Sequence, residues 1–285
     1  MKIFKNGIIS MLASSFFFAV MGALVKFSLK EIPLYEVIFF RSIISALILA
    51  AIIFHRRESL LGHRRWLLVG RGLAGFSAIS CNFYSMKHIP LGDASILNQT
   101  SPLFVAFLSV LFLKEKLSHK AILLSIVSLI GVALIVKPSV SHLNFAALIG
   151  LLSGLMAACA YVAIRELHAT ESFLTMAFYF TATTSVLSLP MVLSDFVLPS
   201  LNAFLILVGV GITGTLGQML MTYAYKYEQA SWVAPFSYTS VIFSILFGYF
   251  LFSEQFDVLS IFGTLLIILS CILLSRRKDP QFIEE

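Results

Sequence analysis

The chain has 285 residues, 59% of them hydrophobic and 12% charged, with a mean hydropathy of +0.96 and a formal net charge of +6. Soluble domains carry about 25% charged residues, so water is not the main solvent of this chain. The basic balance, with a pI near 9.3, therefore reads as membrane topology and gives no reason to expect nucleic acid as a partner.

A spanning helix takes about 20 apolar residues. Uncharged stretches between polar breaks predict ten such helices, over 7–29, 34–54, 66–86, 91–113, 119–136, 145–164, 173–193, 201–225, 229–252 and 258–274. The expected class is an all-α integral membrane protein. Lys2 and Lys5 ahead of the first run imitate the start of a secretory signal. That run is longer than a signal core, and its repeat partner at 145–164 lies mid-chain.

The repeat is a constant offset of 139 residues. It places Glu115 on Glu254, Lys26 on Arg165, Phe39 on Phe178, Gly70 on Gly209, Gly72 on Gly211, Gly75 on Gly214, Tyr84 on Tyr223 and Ser101 on Ser240. Residues 1–137 and 144–278 are thus two copies of one five-helix unit, followed by a tail at 279–285. Such repeats are a mark of transporters. Fourteen of the 20 basic residues fall on one side of the predicted spans and four (Lys26, Lys30, Lys87, Lys137) on the other, while Arg41 and Arg71 lie within spans. The positive-inside rule then places both termini and the tail in the cytoplasm. An odd number of spans per copy makes the repeat inverted, as a pseudo-two-fold axis in the membrane plane requires.

Span two carries Glu36 and Arg41, five residues apart and so off the close spacing of a helical ion pair. Charges inside spans point to function by default, and each of these two faces the bundle interior or reaches an interface. Arg71, one turn into span three, is expected to reach the cytoplasmic headgroups, and Lys26 to snorkel at the end of span one. Gly70-Arg71-Gly72-Leu73-Ala74-Gly75 and Gly209-Val210-Gly211-Ile212-Thr213-Gly214 match the dinucleotide fingerprint. That motif needs a strand before it, so these glycines are read as close helix contacts.

Polar content is densest in span four, Asn98-Gln99-Thr100-Ser101-Pro102, and span nine, Pro235-Phe236-Ser237-Tyr238-Thr239-Ser240. Interrupted segments in corresponding places of two halves point to a midplane site. The alternative is that Ser and Thr hydroxyls satisfy the carbonyls freed by proline and nothing binds there. Candidate ligand contacts are Asn82, Asn98, Gln99, Thr100, Tyr161, Gln218 and Tyr238, with Tyr84, Tyr223 and Trp232 as aromatic walls or interface anchors. The halves differ at Ile96 against Pro235, Gln99 against Tyr238 and Pro102 against Val241, where substrate choice is expected to lie.

Catalytic, metal and cofactor signals are absent. The six histidines lie at or near connections, no HExxH or P-loop occurs, and Cys81, Cys159 and Cys271 show no metal-binding spacing. Only Glu36 and Asp93 are acidic residues placed to approach an inner cavity.

The stretches Pro90-Leu91-Gly92-Asp93-Ala94, Ser101-Pro102-Leu103-Phe104, Phe112-Leu113-Lys114-Glu115, Ala234 to Ser240 and Phe252-Ser253-Glu254 resemble the paired signature of EamA-type members of the drug/metabolite transporter superfamily, a pattern that Arg41 also fits. The resemblance covers nearly the whole chain. It implies a ten-helix inner-membrane carrier whose cavity is formed mainly by helices one, three, four, six, eight and nine. It also implies export of amino acids or other metabolites, or import of a nucleoside-like cofactor such as S-adenosylmethionine. Proline stands at Pro102 in the first half but moves to Pro235 in the second, against the family pattern. The expected function is secondary transport of a small organic solute by alternating access in the lipid bilayer, with no enzyme activity. A lipid flippase and a membrane enzyme acting on lipid-borne groups are the alternatives, and a homodimer is left open.

Overall fold

The computed structural model describes residues 7–29, 31–88, 97–98, 100–113, 119–136, 145–252 and 258–275. Among these residues it is helical, without strands. The helices are α1 (Gly7–Ser28), α2 (Leu34–His55), α3 (Arg65–His88), α4 (Ser101–Leu113), α5 (His119–Val136), α6 (Phe145–Glu166), α7 (Phe173–Ser194) and α8 (Leu201–Tyr227). A short α9 (Ala230–Val233), a 3₁₀ segment (Ala234–Tyr238), α10 (Thr239–Phe252) and α11 (Val258–Ser275) follow. Helix is the necessary form here, because an apolar solvent offers backbone groups no other partner. Gly7–Val25, Leu34–His55, Phe145–Glu166, Phe173–Ser194 and Leu201–Tyr227 are long and apolar enough to cross a membrane. Shorter apolar helical stretches run over Ser101–Leu113, Ile122–Gly131 and Ile261–Ser270.

The helix contacts carry the sequence repeat into three dimensions. α1 packs on α8 and α3 on α6, α2 on α7, and α5 on α11. α3 also meets α7 and α2 meets α8, while α4 meets α6 and α1 meets α10. Shifting any of these pairs by 139 residues gives its counterpart or returns the same pair.

The glycines confirm the packing reading of the two fingerprint matches. A Cβ at Gly72 would stand 2.6 Å from Thr183 Oγ1, and one at Gly211 would stand 2.5 Å from Ile44 Cγ2. Thr183 is the repeat partner of Ile44, so each half uses the same close approach, with backbone against the second helix of the other half. Gly70, by contrast, has nothing within 4 Å of its would-be Cβ.

The bundle end that carries Gly7 is tied across the two halves. The Glu171 carboxylate accepts hydrogen bonds from the backbone N–H groups of His63 (2.7 Å) and Arg64 (2.6 Å). Lys226 Nζ donates to the Glu171 carbonyl at 2.6 Å, and Arg165 Nη1 donates to the Lys226 carbonyl at 2.9 Å. Thr175 Oγ1 donates to the Ser59 carbonyl and Tyr179 Oη to the Leu61 carbonyl, each at 2.8 Å. Ser172 Oγ donates to Glu58, and Arg64 pairs with Glu166 at 3.0 Å. Leu68, Ile164, Leu167, Met176, Tyr225 and Trp232 belong to one buried apolar cluster. At the opposite end the described ties are fewer: Glu36 Oε2 accepts from the Val197 N–H at 3.1 Å, and Ser200 Oγ donates to Glu31 at 3.3 Å.

Candidate functional site

Spans four and nine are interrupted where their polar runs predict. In the second half Pro235 lies in the 3₁₀ segment, and Thr239 Oγ1 donates to the Phe236 carbonyl at 2.7 Å. In the first half Thr100 forms a turn ahead of α4, and its Oγ1 donates to the Leu97 carbonyl at 2.6 Å. Thr100 and Thr239 are repeat partners, as are Leu97 and Phe236. The threonines therefore satisfy the backbone, as the bland reading of these segments has it. Their neighbours do the other job: Asn98, Ser101, Ser237 and Ser240 line a cavity.

That cavity measures about 230 Å³ and is lined by both halves. Ser14, Ser15 and Met21 reach it from α1, Asn82 from α3, Tyr161 from α6 and Gln218 from α8. Asn98 Nδ2 donates to Ser153 Oγ at 3.0 Å, and Gln218 Nε2 donates to Thr222 Oγ1 at 3.1 Å. Their side-chain carbonyl oxygens are not engaged by those two bonds. Tyr161 stacks on Tyr225 with ring centroids 4.8 Å apart.

Of the candidates from the sequence, Asn82, Asn98, Tyr161, Gln218 and Arg41 line the cavity. Tyr84 is partly exposed and stacks on His88 at 4.1 Å, and Tyr223 packs against Phe173 and Tyr227. Trp232 and Tyr238 lie in the buried apolar cluster, with the Tyr238 hydroxyl lacking a hydrogen-bond partner. Thr100 is engaged by its own turn. Glu36 is buried and turned to Val197 rather than to Arg41. Gln99, Asp93, Ile96 and the Lys26 side chain lie outside the described residues.

Arg71 departs most from expectation. Its side chain does not reach the headgroup region; it is 2% exposed and lines the cavity, with Cζ 4.6 Å from the Phe180 ring centroid. Its depth along α3 suggested snorkelling, but the face it occupies is covered by α7. Arg41 meets the same ring from α2, Cζ to centroid 5.9 Å, and its Nε donates to Met21 Sδ at 3.2 Å. Thus α2 and α7 add Arg41 and Phe180 to a cavity expected mainly from six other helices. The offset carried the signal that could have found this, because it pairs Arg41 with Phe180 and Arg71 with Val210 and so puts both intramembrane cations in one half.

Apolar spanning helices around a cavity lined by both arginine and amide side chains fit a multi-pass membrane protein of the transporter class. The family description "EamA-like transporter family" matches residues 5–137 and again 144–276, and the chain belongs to that family. It is 38% identical over 280 residues to the pseudopaline exporter CntI of Pseudomonas aeruginosa (strain PAO1), covering 98% of this chain and 99% of that one. An uncharacterized transporter of Helicobacter pylori (strain J99) is 31% identical over 290 residues, covering 98% and 96%. The S-adenosylmethionine uptake transporter of Rickettsia prowazekii is 26% identical over 269 residues, covering 94% and 92%. A solved crystal structure superposes with a TM-score of 0.80 at 17% identity, over 96% of this chain and 99% of its own, which fixes the fold alone. The protein is a small-metabolite transporter and not an enzyme.

Proposed function

We propose that the protein is a secondary carrier of the inner membrane, with ten spans in two inverted five-helix repeats and both termini cytoplasmic. It moves an amino acid or related small metabolite by alternating access, one repeat rocking against the other. The helix pairs, which map onto each other or themselves at the 139-residue offset, support the pseudo-two-fold arrangement. The charge asymmetry of the connections supports the orientation. The observation that carries the reading is the cavity lined by both halves and bridged at the Gly7 end by bonds that cross between them.

On this reading the Gly7 end is the cytoplasmic gate, closed in this conformation. Its ties are mostly single hydrogen bonds, each worth about 0.5–1.5 kcal/mol net, so a modest differential affinity for substrate suffices to shift the gate. The similarity to an exporter and to an uptake carrier supports a small organic metabolite as cargo; the volume of about 230 Å³ favours an amino-acid-sized solute over a nucleoside-like cofactor in this state. The described lining of the cavity comes from one chain, which supports a cycle run by the monomer.

The test is a reversible lock. In a cysteine-free background, Ser59→Cys with Thr175→Cys replaces a tie between the halves by a disulfide. Flux of a metabolite panel into proteoliposomes should fall to background on oxidation and return on reduction. Full flux with the disulfide formed would remove the alternating-access reading, and no flux of any panel member by the reduced protein would remove the carrier reading itself.

A further inference from the structure

The cavity holds two guanidinium groups, with no acid beside them among the described residues. Arg71 is 2% exposed, and its Nε and Nη1 have no hydrogen-bond partner; Arg41 is 7% exposed, with a weakly accepting thioether sulfur on its Nε. Both stand against the face or edge of one ring, Phe180. A guanidinium keeps its proton in proteins, so these are fixed positive charges away from water. An aromatic ring offsets only part of that cost. Among the described residues no carboxylate lines the cavity, and the only titratable groups that line it besides the arginines belong to Tyr161. Glu36, the acidic residue of α2, is engaged by the Val197 N–H. Charged groups inside a membrane bundle are usually paired, and they commonly mark a substrate path.

We propose, resting on the carrier reading above, that the substrate is a small organic anion with two carboxylate-type groups, one held by Arg41 and one by Arg71. Each planar guanidinium offers a fork of donors that matches a carboxylate bidentately. The Asn82 carbonyl oxygen, which has no hydrogen-bond partner, and the Ser101 hydroxyl line the same cavity beside the polar part between the two groups. Taking about 30 Å³ per water molecule as the measure, the cavity of about 230 Å³ admits a solute of roughly eight non-hydrogen atoms, the size of a four-carbon dicarboxylic acid or acidic amino acid. A solute with a single carboxylate would leave one cation unmatched.

Binding is tested on the full-length protein in detergent by thermal shift and by titration calorimetry. The probes are succinate, L-glutamate, citrate, inorganic phosphate, L-lysine, L-serine and putrescine at millimolar concentration. At least one organic dianion or trianion should raise Tm by roughly 3 °C or more, with lysine, serine and putrescine silent. Arg71→Gln and Arg41→Gln should each weaken that ligand at least about 30-fold. Should a glutamine variant fail to fold, Arg71→Lys, which keeps the charge and loses the fork, should weaken it about tenfold. No stabilisation by any organic anion overturns the proposal. So does stabilisation by phosphate alone, by a cation, or by an anion whose affinity the arginine variants leave intact. Asp93→Asn tests the competing counter-ion: dicarboxylate binding seen only in that variant also overturns it. Binding is read apart from flux, so an anion that binds as stated but is never carried would sink the carrier reading and leave this site standing.

Discussion

The two halves of the cavity are built on one scaffold and differ in charge. Gly75 and Gly214 repeat, Ser101 and Ser240 repeat, and Thr100 and Thr239 close equivalent turns. Yet the first half places Arg41 and Arg71 where the second places Phe180 and Val210, and Asn82 where the second places Met221. The backbone of each half can approach the other in the same way, which alternating access needs. The side chains do not mirror one another, so a bound solute has one orientation relative to the halves. On the proposed mechanism, the symmetric residues would carry the movement and the asymmetric ones recognition.

Making the halves alike should have the largest effect. Arg41→Phe, which copies the second half into the first, is expected to lower transport of the preferred anion about 100-fold or more, since a buried charge that loses its partner costs roughly 2–5 kcal/mol. Initial rates in proteoliposomes over a range of substrate concentration measure it. Adding Val210→Arg, which restores the net charge on the other half, should not rescue the rate. Recovery would show that the total charge of the cavity matters and its placement does not.

Asn98→Ala and Tyr238→Phe form the next contrast. Asn98 faces the cavity and holds Ser153, so its loss should lower transport about fivefold, in line with roughly 1 kcal/mol for one hydrogen bond. Tyr238 is buried with an unpartnered hydroxyl, so Tyr238→Phe should leave kinetics unchanged. Thermal stability should rise or hold, because a buried polar atom without a partner is removed. Unchanged kinetics for Asn98→Ala, or a loss in Tyr238→Phe, would reverse the roles assigned to the two positions.

What the sequence disclosed follows from what an apolar solvent enforces. Helix limits were legible because charge cannot enter a span cheaply: His119–Val136 agrees with its predicted bounds, and Phe173–Ser194 agrees to one residue. The breaks in spans four and nine were legible from their polar runs. Facing was not. Low charge leaves α3 and α8 with weak amphipathic patterns, so depth alone sent Arg71 outward when the covering helix α7 holds it inside. Tyr238 was chosen for its polar tip, but it packs among apolar neighbours. The visible mismatches at positions 96, 99 and 102 cluster around the prolines, while the charge difference at positions 41 and 71 lies on helix two, outside the expected cavity set, and on a turn of helix three whose depth points to the headgroups.

The shared scaffold can be tested through stability alone. Gly211→Ala sets a methyl 2.5 Å from Ile44 Cγ2 and should cost about 1–3 kcal/mol by overpacking. Gly70→Ala meets nothing within 4 Å and should be neutral or slightly stabilising through its better helix propensity. Chemical denaturation in mild detergent distinguishes them, and equal effects at the two sites would remove the close-approach reading.

The smallest effect concerns Glu228, which falls on Ile89 at the repeat offset and so has no acidic counterpart in the first half. Its carboxyl is half-buried beside the Gly7 N–H, from which Oε1 accepts at 3.3 Å. Burial pushes its pKa above the ordinary carboxylate value, while the Gly7 N–H and Arg165 pull it partly back. A folded-state pKa raised above the unfolded one means that the charged form is the less favourable in the folded protein. The penalty is full above the folded pKa and disappears as pH falls through it toward the ordinary value. Wild type should therefore gain slightly in Tm relative to Glu228→Gln as pH is lowered from 7 toward 5. A difference that is flat, or that falls on acidification, would show that the Gly7 and Arg165 contacts outweigh burial and that this tie is strongest when charged.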